Sequence, residues 1–251
     1  MESGGPSPLP SFPASRTSTP SNLNPNAPRR TKIAVYCGSS AGHHPAHVEA
    51  ARALARAMAA QNIALVYGGG TVGLMGEVAK TLVSLSGPDS VHGIIPKALV
   101  RYERDPNYTS TYINGQSGEE RLAVPEENIF GKTTVVQDMH TRKQMMVQEV
   151  VSGGPGSGFI ALSGGYGTME ELLETATWNQ LGIHNKGICV LNVNGFYDGV
   201  LDWIRKSVNE GFIHGDNANI LAEAKTAEDA IKALKDYKVS EAVLKLSWGN
   251  E

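Results

Sequence analysis

The stretch GFIALSGGYGTMEELLETATWNQL, residues 158–181, reads as a buried strand, a glycine turn and a helix in succession. GFIALSGG (158–165) is an apolar run closing on glycines, and TMEELLETATWNQL (168–181) supplies the helix. Gly164, Gly165 and Gly167 let backbone N–H groups approach an anion with no Cβ in the way. Thr168 then opens a helix whose positive N-terminal end favours a phosphate. Glu170 and Glu171 follow at once, and their charge opposes that of a phosphate. Thr168 and Glu171 also have the T-x-x-E spacing of a capping box, in which the glutamate only ties off the helix start. The spacing alone leaves the ligand and capping readings open.

The same unit recurs along the chain. Strands are expected at 32–40, 63–70, 90–96, 132–139, 158–165, 186–193 and 219–224. Helices are expected at 47–61, 72–85, 140–151, 168–181, 196–211 and 226–237. Strand, turn and helix in repetition mean right-handed crossovers and a parallel sheet covered on both faces. Apolar runs without alternation support central parallel strands. The expected fold is therefore α/β, a doubly wound, Rossmann-like parallel sheet, with ligands beyond the carboxyl ends of its strands. Glycine turns at 38–40, 68–70 and 164–167 all follow strands and should crowd one sheet edge. In the second, Gly73 and Gly76 suit either close helix packing or ligand approach. Residues 97–131 break the pattern into a long polar loop, a length typical of functional lids or flexible insertions.

Composition narrows the function. Residues 1–30 are Pro, Ser, Asn and Thr with few large apolar side chains, so they are expected to form a disordered tail. The tail lacks the apolar core of a secretory signal. Residues 31–251 then make one large domain. A net charge of −3 and the lack of a basic stripe argue against nucleic-acid binding. No apolar run reaches the roughly 18 residues of a membrane helix. Cys37 and Cys189 each sit in an apolar run and read as free core thiols, which suits a reducing, cytoplasmic compartment. No His/Cys cluster has metal-ligand spacing, and the G-x-G-x-x-G dinucleotide fingerprint is missing.

The remaining signal is DMHTRKQMM (138–146), where Arg142 and Lys143 fall in a first helical turn. Cations there oppose the helix dipole, so an anionic ligand or the two glutamates must favour them, unless the face is merely solvated. His140 reads as a capping or surface histidine.

Together YCGSS, VYGGGTVGLMGEVA, DMHTRK, SGGYGTMEEL and TWNQLGIHNKGICVLNVNGFYD resemble, in order and spacing from about Lys32 to the final helix, the LONELY GUY (LOG) family. These are cytokinin riboside 5′-monophosphate phosphoribohydrolases, many first labelled lysine decarboxylases. The resemblance implies hydrolysis of the N-glycosidic bond of N6-modified adenosine 5′-monophosphates, a homodimer with sites near the interface, and neither metal nor organic cofactor. It places the essential arginine and glutamate on Arg142 and Glu171. Substrate-binding positions fall on Glu103, Lys143, Gly164, Gly165, Tyr166, Gly167, Thr168, Met169, Glu170 and Thr177. Ser163 stands where the family has proline, and the loop after Glu103 is longer than in compact plant-type members. Two other readings keep part of this site: a nucleosidase for unmodified AMP, and a non-catalytic nucleotide-binding module. No lysine has the setting of a pyridoxal phosphate Schiff base, which argues against lysine decarboxylation.

Overall fold

The computed structural model describes residues 29–104, 110–113, 122–244 and 246; the expected tail falls almost wholly outside them. The strands are β1 (Lys32–Tyr36), β2 (Ala64–Tyr67), β3 (Val91–Pro96), β4 (Ser110–Ile113), β5 (Leu122–Pro125), β6 (Lys132–Val136), β7 (Gly158–Ala161), β8 (Gly187–Leu191) and β9 (Leu221–Ala224). The helices are α1 (Pro45–Ala60), α2 (Gly73–Ser86), α3 (Glu127–Phe130), α4 (Met139–Val151), α5 (Tyr166–Gln180), α6 (Asp198–Asn209) and α7 (Ala227–Asp236).

Seven strands form one parallel sheet in the order β6-β3-β2-β1-β7-β8-β9. The chain winds outward from β1 to β6, then returns to β7 on the other flank of β1. The topological switch point therefore lies between β1 and β7, where a doubly wound sheet opens its ligand crevice. Because side chains alternate along a strand, β1 feeds two cores. Ile33 and Val35 pack with α1, α2 and α7, while Ala34 and Tyr36 pack with α4, α5 and α6. Cys37 and Cys189 are free and buried, as their apolar surroundings led one to expect.

One expectation is corrected, and two readings left open gain a structural answer. The stretch 97–131 is not one long loop: β4 and β5 pair antiparallel within it, and α3 adds a helical turn. STYI and LAVP carry the β-branched and aromatic residues that favour pairing. Phe130 of α3 is fully buried, and its carbonyl accepts a hydrogen bond from the Tyr67 hydroxyl.

Second, α5 begins at Tyr166 with Gly165 as its N-cap, two residues before Thr168, and no side chain caps it. The capping box does not form. Third, Gly73 and Gly76 both answer to packing. Gly73 has φ +58°, and a Cβ there would meet the Ser39 carbonyl carbon at 2.3 Å. A Cβ on Gly76 would come 2.1 Å from the Thr71 carbonyl oxygen, a backbone atom that cannot swing aside.

Helix propensity alone favours alanine over glycine by about 1 kcal/mol. Overpacking against fixed backbone costs about 1–3 kcal/mol and dominates. Gly76→Ala is therefore expected to lower the urea-unfolding midpoint; a raised midpoint would show that the turn at Thr71 yields easily.

Candidate active site

The three central strands, β2, β1 and β7, end side by side, so their glycine turns meet. Gly38 ties them together: its N–H donates to the Ser163 carbonyl at 3.0 Å and its own carbonyl accepts from Leu74 N–H at 3.0 Å. Between the turns lies a cavity of about 210 Å³. Gly38 and Ser39 line it after β1, Gly68 and Met75 after β2, and Gly165 to Thr168 at the start of α5. Glu103, Arg142 and Glu171 project into it.

Arg142 comes from α4, whose start is fixed by Asp138. That carboxylate caps the helix by accepting from Thr141 N–H at 2.8 Å and from the Thr141 hydroxyl at 2.9 Å. A D-x-x-T spacing was visible in the sequence and marks this cap. His140 is not the cap but an exposed residue in the first turn. Arg142 sits at the end of that turn, 6% exposed, and its Nη2 donates to Glu171 Oε1 at 2.8 Å. The opposing helix dipole is thus answered by a buried carboxylate. Arg142 Nε is buried and has no hydrogen-bond partner among the described residues.

Glu171 is 8% exposed. Burial pushes its carboxyl up to about 7, with the Arg142 guanidinium pulling the other way. It is therefore poised near neutrality, the range that suits a general base. Glu103 is also raised by burial, again against Arg142, and its Oε2 is buried without a partner among the described residues.

Glu170 and Glu171 separate cleanly. One residue along a helix turns a side chain by about 100°, so Glu170 leaves the cavity. It is exposed and pairs with Lys143, whose Nζ also reaches Glu174 Oε1 at 3.1 Å. Lys143 thus neutralises the outer face of α5, not the cavity.

Of the residues expected at the site, Glu103, Arg142, Gly165, Tyr166, Gly167, Thr168 and Glu171 line one cavity. A Cβ on Gly165 or Gly167 would meet nothing within 4 Å, so both present open backbone. Gly164 instead makes room for Thr168: a Cβ there would lie 2.1 Å from its Oγ1. Lys143, Glu170 and Met169 lie off the cavity, Met169 packing into the α4–α6 core. Thr177 is exposed further along α5, its hydroxyl donating to the Leu173 carbonyl. Gly38, Ser39 and Gly68 line the cavity from the glycine turns expected at that sheet edge, whereas Val35, Cys37 and Met75 line it without having been expected as site residues. Their signal was position alone, at or beyond the carboxyl ends of neighbouring strands. Among the described residues no group of His, Cys, Asp or Glu is arranged to hold a metal ion.

Comparison with known proteins matches the family described as "possible lysine decarboxylase" over residues 75–234. The cytokinin riboside 5′-monophosphate phosphoribohydrolase LOG2 of Arabidopsis thaliana is 41% identical over 224 residues, covering 88% of this chain and 92% of its own. The chain belongs to the LOG family. A bifunctional cytokinin biosynthesis protein of Fusarium pseudograminearum is 50% identical over 209 residues, and the match spans 41% of that longer protein.

The LOG fold extends to more distant structures. The molybdenum cofactor carrier protein of Chlamydomonas reinhardtii aligns over 82% of this chain and 97% of its own, with TM-score 0.54 and 17% identity. That likeness concerns the fold only.

Proposed function

We propose that this chain hydrolyses the N-glycosidic bond of N6-modified adenosine 5′-monophosphates, releasing the free cytokinin base and D-ribose 5-phosphate. The observation that carries the proposal is the buried Arg142–Glu171 pair beside the uncapped N-terminus of α5. The first four N–H groups of a helix lack intrahelical partners. Those of α5, with open backbone at Gly165 and Gly167, suit the 5′-phosphate. The relatives' names supply the substrate class.

Cleavage of a glycosidic bond passes through a cationic, oxocarbenium-like ribose. Glu171, ionised and held by Arg142, stabilises that charge and takes a proton from the attacking water, whose oxygen bonds to C1′. The C1′–N bond breaks and its electron pair leaves with the base. The charge conflict between phosphate and glutamate is relieved by Arg142, which lies between the two tasks of the turn. Glu103 contributes to substrate binding, while Lys143 and Glu170 act together on the outer face.

Residues 31–251 form the catalytic domain, and the working unit is a homodimer. Exposed Met139 and Val151 on α4, and exposed Leu173 and Trp203 near Thr177, support a subunit contact there. No described helix is long and apolar enough to cross a membrane. The free buried thiols support a reducing, cytoplasmic setting.

The test is incubation of the purified protein with N6-isopentenyladenosine 5′-monophosphate and, separately, AMP. Release of ribose 5-phosphate with higher kcat/KM on the prenylated nucleotide is expected. Preference for AMP would make it an AMP nucleosidase, and no release from either would leave a binding module. Glu170→Gln is expected to keep kcat within about tenfold, since its carboxylate faces Lys143. A larger loss would put Glu170, not Glu171, at the chemistry.

A further inference from the structure

We infer that Glu103 is the proton donor to the departing base, so that the two carboxyl groups of the cavity divide the chemistry. The inference rests on the hydrolase reading above and adds a catalytic residue to it.

Glu103 is held firmly. Its N–H donates to the Leu99 carbonyl at 2.9 Å, and its own carbonyl accepts from Thr71 N–H at 2.8 Å and the Thr71 hydroxyl at 3.3 Å. The side chain is laid against the turn after β2: a Cβ on Gly70 would come 3.2 Å from Oε2 and 3.3 Å from the Glu103 Cβ. From that anchorage the carboxyl enters the cavity that holds Arg142 and Glu171.

The two acids meet different company there. Glu171 receives a guanidinium hydrogen bond at 2.8 Å, which favours its ionised form. Glu103 Oε2 is buried and receives no hydrogen bond among the described residues. An ionised carboxylate without donors is costly to bury, whereas a protonated one is an O–H donor in search of an acceptor. The charged and titratable groups around Glu103 are Arg142, Glu171 and the Cys37 thiol. Burial raises Glu103, and Arg142, already bonded to Glu171, opposes the shift without reversing it. Burial raises both carboxyls, Glu171 to about 7, and two like charges in one small cavity cannot both ionise cheaply. The proton is assigned to Glu103 on geometry, because the guanidinium hydrogen bond at 2.8 Å selects Glu171 for the ionised form while Glu103 Oε2 receives none among the described residues.

A purine leaving as an anion is a poor leaving group. As the C1′–N bond breaks and its electron pair moves onto the base, Glu103 transfers its proton to a ring nitrogen of the base. Glu171 accepts one proton from the water that adds to C1′. At the end of the cycle Glu103 lacks a proton and Glu171 carries one, and exchange with solvent during product release restores both. Atoms and charge balance without a further reactant.

The experiment compares Glu103→Gln and Glu171→Gln on two substrates, N6-isopentenyladenosine 5′-monophosphate and 4-nitrophenyl β-ribofuranoside 5-phosphate. The second leaves as a stable phenolate and needs no proton. Glu103→Gln is expected to lose about 10²–10⁴ in kcat on the nucleotide and under about tenfold on the nitrophenyl compound. The alkaline limb of its kcat/KM profile on the nucleotide should disappear. Glu103→Asp, with its carboxyl drawn back, should be slow but keep the limb. Glu171→Gln is expected to lose activity on both substrates.

Equal losses on the two substrates in Glu103→Gln would reduce Glu103 to a ribose-binding group, and an unchanged alkaline limb would overturn the inference outright. If the nitrophenyl compound is not turned over, the pH profile of Glu103→Gln on the nucleotide decides alone. Failure of the wild-type protein to cleave the nucleotide would instead sink the proposed function.

Discussion

Glu171→Gln is expected to lower kcat on N6-isopentenyladenosine 5′-monophosphate by about 10²–10⁴, the usual contribution of a general base. The substitution keeps the size and the Arg142 contact through the amide oxygen, so the fold and the phosphate cradle should survive. What is lost is the negative charge beside C1′ and the acceptor for the water's proton. KM should move far less than kcat, because the phosphate cradle proposed above is α5 backbone and not this carboxylate. In the wild type, ionisation of Glu171 sets the acidic limb of the rate profile. Burial lifts that carboxyl to about 7, so activity should fall as pH drops below neutrality. A variant retaining kcat within about tenfold would remove Glu171 from the chemistry.

The second large effect is expected of Arg142→Ala. A cation beside a carboxylate lowers its pKa by about 1–3 units. Removing it should move the acidic limb upward by a similar amount and leave Glu171 largely protonated at neutral pH. Activity on the nucleotide should fall by at least about 10²-fold at pH 7 and recover partly in alkali.

The stability change has the same origin. The folded-state pKa of Glu171 lies above its unfolded value, so between about 4.5 and 7 the native protein binds the extra proton and stability falls as pH rises. Without Arg142 that window extends above 7, because ionisation then leaves an unpaired buried charge. Breaking such a pair costs about 3–5 kcal/mol when the remaining partner stays charged. Urea unfolding at pH 6 and pH 9 should therefore show the larger loss at pH 9. Equal losses at both pH values, with an unmoved acidic limb, would mean that Arg142 does not govern Glu171. Arg142→Lys is not a safe substitute, since a flexible ammonium lacks the planar fork that reaches Glu171.

Much of the scaffold was legible because it is local. Unbroken apolar runs such as KIAVY and GICVL, each followed by small residues and an amphipathic stretch, specify parallel strands and crossover helices. Legibility failed where two local signals competed. Thr168 and Glu171 matched a capping box, yet the chain starts α5 earlier, at Tyr166 with Gly165 as N-cap, where the glycines leave an N-terminus with no side-chain cap. Residues 97–131 looked like a loop because STYI and LAVP are short and separated by polar sequence, and only their pairing makes them strands.

The sequence by itself determined the winding of the sheet, the crowding of glycine turns at its carboxyl edge and the family, since these follow from periodicity and from motif order. Tertiary structure decided which glutamate of the pair Glu170 and Glu171 enters the cavity. It also decided that Arg142 serves the cavity while Lys143 serves the surface, and that Glu103 Oε2 is left without a donor among the described residues. The physical reason is that charge and hydrogen bonding depend on distances between elements far apart in the chain: Arg142 and Glu171 are 29 residues apart but 2.8 Å apart in space.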